Sequence, residues 1–452
     1  MLRTVAAIAR WALWGLVVIW LLLVMVWSGL HFVIVPRISE FRPLLEQQAS
    51  RILGIKVRVG AVMALSNGLI PSFALRDVQL LDAQDREALR LPSVLVALSP
   101  RSVLGLGFEQ LYVEAPVLDV RRSRDGRIWV AGLPISTLEQ GGGEVADWVL
   151  SQAELVVRRG TVNWTDELRA APTLALTEVS GILRNRHRQH SLRLDVSPPA
   201  HWGDPIQLLG DFKQPLLSAH AGDWRQWDGQ LYGYFSQVDL SHLRPYADLG
   251  VNVEQGTGAL RAWLDIKKGV LVGATADVAL RDAKVQVDRA LAPLEMRWAA
   301  GRLGGRAVEG GTELFTQALE FESQDGLHWP GGNLRLSLRD ADAGQAPRGE
   351  LVADRLDLAA MAQIADRLPL PDTFRAALRG LKPQGLVPRI QVAWTGPLDA
   401  VQHYAARGQV QGLELAAWAR AAGTTPGIQG AHVDFDLNQA GGKAKLEIPW
   451  PH

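Results

Sequence analysis

The sequence predicts a mainly β fold behind one N-terminal hydrophobic helix, and three observations carry that prediction. Trp11 to Val35 runs without a charged residue. Downstream, apolar and polar residues alternate in many short stretches, the period of a strand with one buried and one solvated face. Glycine and proline are abundant, at 44 and 24 residues, while stretches with helical spacing are few.

A helix rises about 1.5 Å per residue, so about 20 residues cross a bilayer core of about 30 Å. The run from Trp11 to Val35 exceeds that length. Trp11, Trp14 and Trp27 lie towards its ends, where amphipathic rings favour the headgroup region. It is longer than the apolar part of a cleavable signal and has no small-residue cleavage site. The expectation is an uncleaved transmembrane anchor over 1–35, with Trp11, Trp14, Trp27 and Val35 as its anchor positions. Arg3 and Arg10 precede the run and Arg37, Arg42 and Arg51 follow it, so charge does not set an orientation.

The body beyond residue 35 exceeds the roughly 250–300 residues at which a single core stops growing, which predicts several domains or an elongated form. With 47 basic against 47 acidic residues, there is no basic excess of the kind a nucleic-acid binder shows. The absence of cysteine excludes a disulfide frame, a thiolate nucleophile and a Cys-ligated metal.

Ser39 is positioned to cap a helix running to about Leu53, with Gly54 ending it. From there the period changes to 2. Val57 to Val62 and Phe73 to Leu81 flank the turn Ser66-Asn67-Gly68, and Leu91 to Leu98, Phe108 to Val113 and Val117 to Arg121 follow. Asp125-Gly126 turns into Arg127 to Val130. Gly141 to Gly143 forms a joint before one or two helical turns at Glu144 to Leu150. Strands are then expected at Glu154 to Arg158, Gly160 to Trp164, Leu174 to Val179 and Ser191 to Val196. Alternation is clearest in five segments: Leu192, Leu194 and Val196; Leu260 to Lys267; Asn333 to Arg339; His432 to Leu437; and Lys443 to Ile448. Asp357 caps a helical stretch to Leu368, and Pro369 and Pro371 separate it from a second one at Asp372 to Leu381.

Catalytic and metal-binding patterns are missing. His187 and His190 sit among Arg184, Arg186 and Arg188, which disfavour a cation, so a solvated turn is expected there. Asp166 and Glu167, and Asp223 and Asp228, lie near tryptophans, but nothing fixes the separation that carboxylate-pair chemistry requires, and turn or edge positions are the reading. No nucleophile elbow, zinc-protease motif, phosphate loop or dinucleotide fingerprint is present. No catalytic residue, metal ligand or cofactor is expected.

Strands with one apolar face need something to cover it. Two sheets can close on each other as a sandwich, or one sheet can leave an apolar trough for a ligand. Periodicity does not separate these, and sandwiches are the commoner solution.

Several stretches carry a resemblance. They are Thr161 to Asp166 (TVNWTD), Pro198-Pro199 with Trp202-Gly203, Asp223 to Tyr232 (DWRQWDGQLY), and Leu368 to Pro371 (LPLP). Leu381 to Gly385 (LKPQG), Trp394 to Gly396, and the glycine-rich hairpin from Gly427 to Ile448 complete the set. With the N-terminal run and the block from Phe73 to Leu133, the chain resembles the N-terminal part of the YhdP family of AsmA-like proteins. The resemblance implies a long, curled antiparallel β-sheet forming an apolar groove, with few short helices. It further implies a single-pass Gram-negative inner-membrane protein with its bulk in the periplasm. Its function would be a lipid-transfer conduit, shielding phospholipid acyl chains on the way to the outer membrane and supporting the permeability barrier. The alternative is a membrane-tethered β-sandwich scaffold for envelope assembly factors. Expected partners are phospholipid, the inner membrane and envelope proteins at the distal end.

On this reading the chain divides into the anchor at 1–35, an AsmA-like β block at 36–140 and an extended groove region at 141–452, truncated at its C-terminus relative to longer family members. Candidate groove-lining residues are Leu192, Leu194, Val196, Leu260, Leu264, Leu334, Leu336, Leu338, Val433, Phe435 and Leu437, with Arg193 and Arg335 facing outwards.

Overall fold

The computed structural model describes residues 2–29, 32, 35–65, 72–81, 85–97, 107–134, 143–218, 222–246, 252–341, 346–368, 370, 372–397, 400–420 and 423–448. Helix α1 covers Leu2–Gly29, with Trp11, Leu13, Trp14 and Leu16 exposed. Among the described residues no helix is long and apolar enough to cross a membrane. This finding corrects the expected anchor at Trp11, Trp14, Trp27 and Val35. The single-pass inner-membrane placement with its bulk in the periplasm and the conduit to the outer membrane, which the resemblance implied, presuppose such an anchor and are corrected with it. Val35 opens a short 3-10 segment, Val35–Phe41.

Helix α2 (Arg42–Leu53) ends at Gly54, whose φ of 68° is the left-handed conformation glycine adopts without a side-chain clash. Its start differs from expectation. Phe41 occupies the cap position without a side-chain bond, and the proline of the first turn pre-sets the backbone in place of a Ser39 cap.

The chain forms two compact units, the first of residues 1–199, 205–230 and 267–269, the second of the remainder. In the first unit the strands are β1 (Lys56–Leu65), β2 (Ser72–Leu81), β3 (Glu87–Ala97), β4 (Gln110–Glu114), β5 (Val117–Arg122), β6 (Ile128–Val130) and β7 (Leu133–Pro134). After helix α3 (Gly143–Ser151) come β8 (Glu154–Asp166), β9 (Ala171–Arg186), β10 (Gln189–Ser197) and β11 (Ile206–Lys213). Strands β1 to β4 pair antiparallel in sequence order, and so do β8 to β11. Between these sets, β4 and β5 both run parallel to β8. A parallel pair needs a crossover, and the segment containing α3 supplies it. Ala115 N–H to Arg158 O (2.8 Å) and Thr161 N–H to Pro116 O (2.8 Å) carry the ladder across the break between β4 and β5.

One register row crosses the first unit: Val62, Leu75, Val94, Val113, Val157, Gly181, Leu194 and Leu208. Directly paired residues share a sheet face, so this row is apolar across eight strands. Leu45, Ala49 and Leu53 of α2, with Trp148 of α3, pack onto its β1–β4 end and bury Val59, Phe73 and Val96.

The second unit contains most of β12 (Asp228–Asp239), then β13 (Asn252–Lys267), β14 (Val270–Gln286), β15 (Leu294–Val308), β16 (Gly311–Ser323), β17 (His328–Pro330), β18 (Leu334–Arg339), β19 (Arg348–Ala353) and β20 (Leu356–Asp357). Helices α4 (Leu358–Ile364) and α5 (Asp372–Leu381) precede β21 (Gln384–Thr395), β22 (His403–Leu415), β23 (Trp418–Arg420), β24 (Gly423–Thr425), β25 (Ile428–Asn438) and β26 (Gly441–Glu447). The order β14, β15, β16, β18, β19, β21, β22, β25, β26 is antiparallel throughout. Strand β26 has β25 as its one neighbour among the described pairings.

The expected fold class is corrected on two further points besides the expected anchor. The sheet does not close or curl strongly, and its pairing is not uniformly antiparallel, because of β4, β5 and β8.

Candidate functional site: an apolar sheet face

Register decides which side chains share a face. In the second unit one row runs Ala274, Gly305, Leu314, Leu336, Leu351, Val392, Ala406, Leu437 and Gly442, across nine strands. Two residues along the strands, Leu303, Thr316, Leu334, Ala353, Ile390, Gly408, Phe435 and Ala444 form the next row. On the other side of the first row stand Ala307, Thr312, Leu338, Gly349, Trp394 and Tyr404. None of these positions is charged.

The opposite face carries the charges. Its central row reads Gly304, Phe315, Arg335, Val352, Gln391, Arg407, Asp436 and Lys443. Arg302 forms a forked pair with Asp277, at 2.5 and 2.9 Å, and holds that carboxyl below the usual carboxylate range. Arg306 meets Glu313 at 2.8 Å, and Arg407 Nε donates to Gln391 at 2.8 Å. A shallow recess of about 560 Å³ on this face is lined by Arg389, Asp434 and Lys445 among others.

The apolar face is closed at one end and open at the other. At the closed end Ala283, Met296, Ala299 and Phe321 pack with Ala360 and Ile364 of α4, and Ala353 packs with Leu356 and Val387. Ala353 and Ala365 are essentially inaccessible. Towards the opposite end Leu314 is 45% exposed, Tyr404 43% and Leu437 37%. Side chains of this kind in a sandwich core would be buried. Scattered exposed leucines are ordinary, but a register-continuous set is a candidate binding surface.

The candidate residues therefore fall into two groups. Leu334, Leu336, Leu338, Val433, Phe435 and Leu437 lie together on the second unit's apolar face. Leu260 and Leu264 alternate with Trp263 and Asp265. Trp263 lies under the Arg302 guanidinium, and Asp265 stands beside Gly273 in the register row of Arg306, so both belong to the charged face. Leu260 and Leu264 accordingly face the apolar side, and Leu260 packs on the core there. Leu192, Leu194 and Val196 lie on the first unit's apolar face, beside Leu183, Leu208 and Ile206.

Trp394, Tyr404, Ile390, Val392, Leu351 and Leu314 belong to the face and were not anticipated. The available signal was the alternation of Ile390, Val392 and Trp394 with Arg389, Gln391 and Ala393.

The expectation for the histidine pair is corrected at one of its members. His190 is buried, not solvated: its ring stacks on Trp227 at 4.0 Å and 5°, and Nδ1 lies 2.7 Å from Asn185 Oδ1. Asp166 is buried as well, held by Arg122 Nε at 2.9 Å. His187 keeps the turn, at a φ of 52°. Among the described residues no group of three or more His, Cys, Asp or Glu could hold a metal ion.

In comparison with known protein families, the model described as YhdP protein matches residues 1–448. No curated protein and no solved structure matches the chain.

Proposed function

The chain belongs to the YhdP protein family, and from that premise we propose that its apolar sheet faces take up the acyl chains of phospholipid. The family is one of lipid-transport proteins and not of enzymes. The observation that carries the reading is the uncharged register row from Ala274 to Gly442, half-exposed at Leu314 and Leu437. Each acyl CH₂ withdrawn from water is worth about 0.8 kcal/mol, so a chain laid across several leucines offsets much of the cost of leaving a bilayer. No covalent step is involved. A closed β-sandwich scaffold requires this face to be filled, and the exposure of Leu303 and Leu314 speaks against it.

Photo-crosslinking tests the reading. A photoreactive residue is placed at Leu194, Leu336 or Phe435 on the apolar faces, and separately at Arg193, Arg335 or Asp434. Phospholipid adducts are expected from the first set alone. Folded protein with no adducts from either set, or with equal adducts from both, overturns the reading.

A further inference from the structure

At one end of the first unit's strands three connections lie side by side: the turn between β9 and β10, the residues that follow β11 and precede β12, and the turn at Lys267, Lys268 and Gly269. Hydrogen bonds join them. Gln214 N–H donates to Arg188 O at 2.9 Å, and Arg188 Nε donates to Gln214 O at 3.0 Å. Gly269 N–H reaches Trp227 O at 3.0 Å, and Lys268 N–H reaches Asp228 Oδ1 at 2.8 Å. Gln214, Gly222 and Trp227 are buried, with Trp227 stacked on His190 and Gly222 N–H donating to the Asp147 carboxylate.

Large apolar side chains stand out from this pinned base. Leu216 is 80% exposed and Leu217 96%, and Trp224 is half exposed. Exposed apolar residues scattered singly are ordinary, whereas these three share one end of one unit.

The same end is basic at its outermost points. Arg186 and Arg188 lie at one tight turn, Lys267 and Lys268 at the other, and Lys213 closes β11; all five are exposed. Arg186, Gln189 and Lys213 share one register row, and no acid occurs from Val179 to Leu194. The acids nearby are engaged or set back. Glu154 pairs with Arg184 at 2.6 Å, Asp223 accepts from the Gln226 amide, Asp228 and Asp147 accept from the N–H groups above, and Asp211 lies two residues inward of Lys213.

We propose that this end of the first unit docks peripherally on an anionic lipid surface. Leu216 and Leu217 enter the acyl boundary, Trp224 sits at headgroup depth, and Arg186, Arg188, Lys213, Lys267 and Lys268 meet the phosphates. Leucine and lysine are both under-represented where protein partners bind tightly, which favours lipid as the occupant. The contact is made by loops and not by a spanning helix, and it stands independently of the acyl-chain reading above. A small apolar insertion holds a protein on a membrane only marginally without a polybasic patch, so both parts are required.

The chain has no cysteine, so one introduced cysteine takes a nitroxide label uniquely. Leu217→Cys places the label at the docking end. Leu168→Cys, exposed in the turn between β8 and β9 at the opposite strand ends, is the reference. The full chain is mixed with vesicles of phosphatidylcholine containing phosphatidylglycerol, or of phosphatidylcholine alone. On the anionic vesicles the label at 217 is expected to become accessible to oxygen and shielded from a water-soluble nickel complex, while the label at 168 stays in water. With Arg186→Gln/Lys213→Gln/Lys268→Gln added, the vesicle concentration for half-immersion should rise roughly a hundredfold, about fivefold for each basic residue. Salt should raise it in the parent. Leu216→Asp should abolish the immersion at an unchanged melting temperature. A label at 217 that stays in water on bound chain, immersion at 168 equal to that at 217, or immersion indifferent to phosphatidylglycerol and to the triple substitution overturns the inference. So does immobilisation of the 217 label by a second copy without vesicles. Docking at 217 with no lipid adducts on the apolar faces overturns the acyl-chain reading alone.

Discussion

Gly349 lies directly beneath the indole of Trp394, its register partner on the neighbouring strand. A Cβ at position 349 would fall inside the ring, so only glycine lets the indole lie flat across β19. Gly349→Ala should displace Trp394 and cost about 1–3 kcal/mol, the scale of overpacking. Denaturant unfolding followed by tryptophan fluorescence checks this. Unaltered stability with an unaltered spectrum would mean that the ring does not occupy that space.

Asp166 and Arg122 tie β8 to β5 where the two run parallel. The Arg122 guanidinium holds the Asp166 carboxyl below the usual carboxylate range, and the Arg169 N–H at 3.2 Å helps. A depressed carboxyl contributes stability that is complete above its unfolded value, near pH 4, and is lost as pH falls through the lower folded value. Acidification below about pH 4 should therefore destabilise the protein, and Asp166→Asn should flatten that limb. Arg122→Leu leaves a buried carboxylate without its partner and should cost about 3 kcal/mol at neutral pH.

His190 behaves differently. Burial between Trp227 and the surrounding strands pushes its imidazole below the usual value, although Gln214 pulls the other way. A histidine kept neutral in the fold gives full stability above about pH 6.5, its unfolded value, and loses it on acidification until the lowered folded value is reached. Equilibrium unfolding at pH 7 and pH 5 should show this loss, and His190→Phe should reduce it while keeping the stack on Trp227. A wild-type profile that is flat over this window would contradict the assignment.

Asp357 accepts a hydrogen bond from the Ala360 N–H at 2.9 Å and so caps α4. Asp357→Ala should cost about 1 kcal/mol, and Asp357→Ser distinctly less. Thermal unfolding of the two variants side by side separates the cap from any effect of lost charge.

The α4 cap was legible from the spacing of Asp357 alone, and so were the Gly54 stop and the hairpin of β25 and β26. What these share is locality: each depends on residues within a few positions of one another. The long strands β15 and β16 were not anticipated. Their apolar sets are diluted by Gly301, Gly304 and Gly305 and interrupted by irregular register between Ala300 and Arg302, which breaks the period of 2. The parallel pairing of β4 and β5 with β8 was equally hidden, because a crossover leaves no mark on the pairing residues themselves. For the candidate site, alternation identified Leu334 to Leu338 and Val433 to Leu437 as one-sided strands. Only register could place them on one face, and only exposure could show that face open. His190 was misjudged because its neighbours in sequence are arginines, while its neighbour in space is Trp227.

The parallel pairing of β4 and β5 with β8 has a consequence for how the first unit folds. Gln110 meets Glu154 and Arg122 meets Asp166, partners 44 residues apart in the chain, whereas the β9–β10 hairpin closes between Arg186 and Gln189. Closing the longer loop costs entropy before any contact in that ladder offsets it. The hairpin should therefore form early and the β8 ladder late, an order that pulse-labelled hydrogen exchange during refolding reads strand by strand.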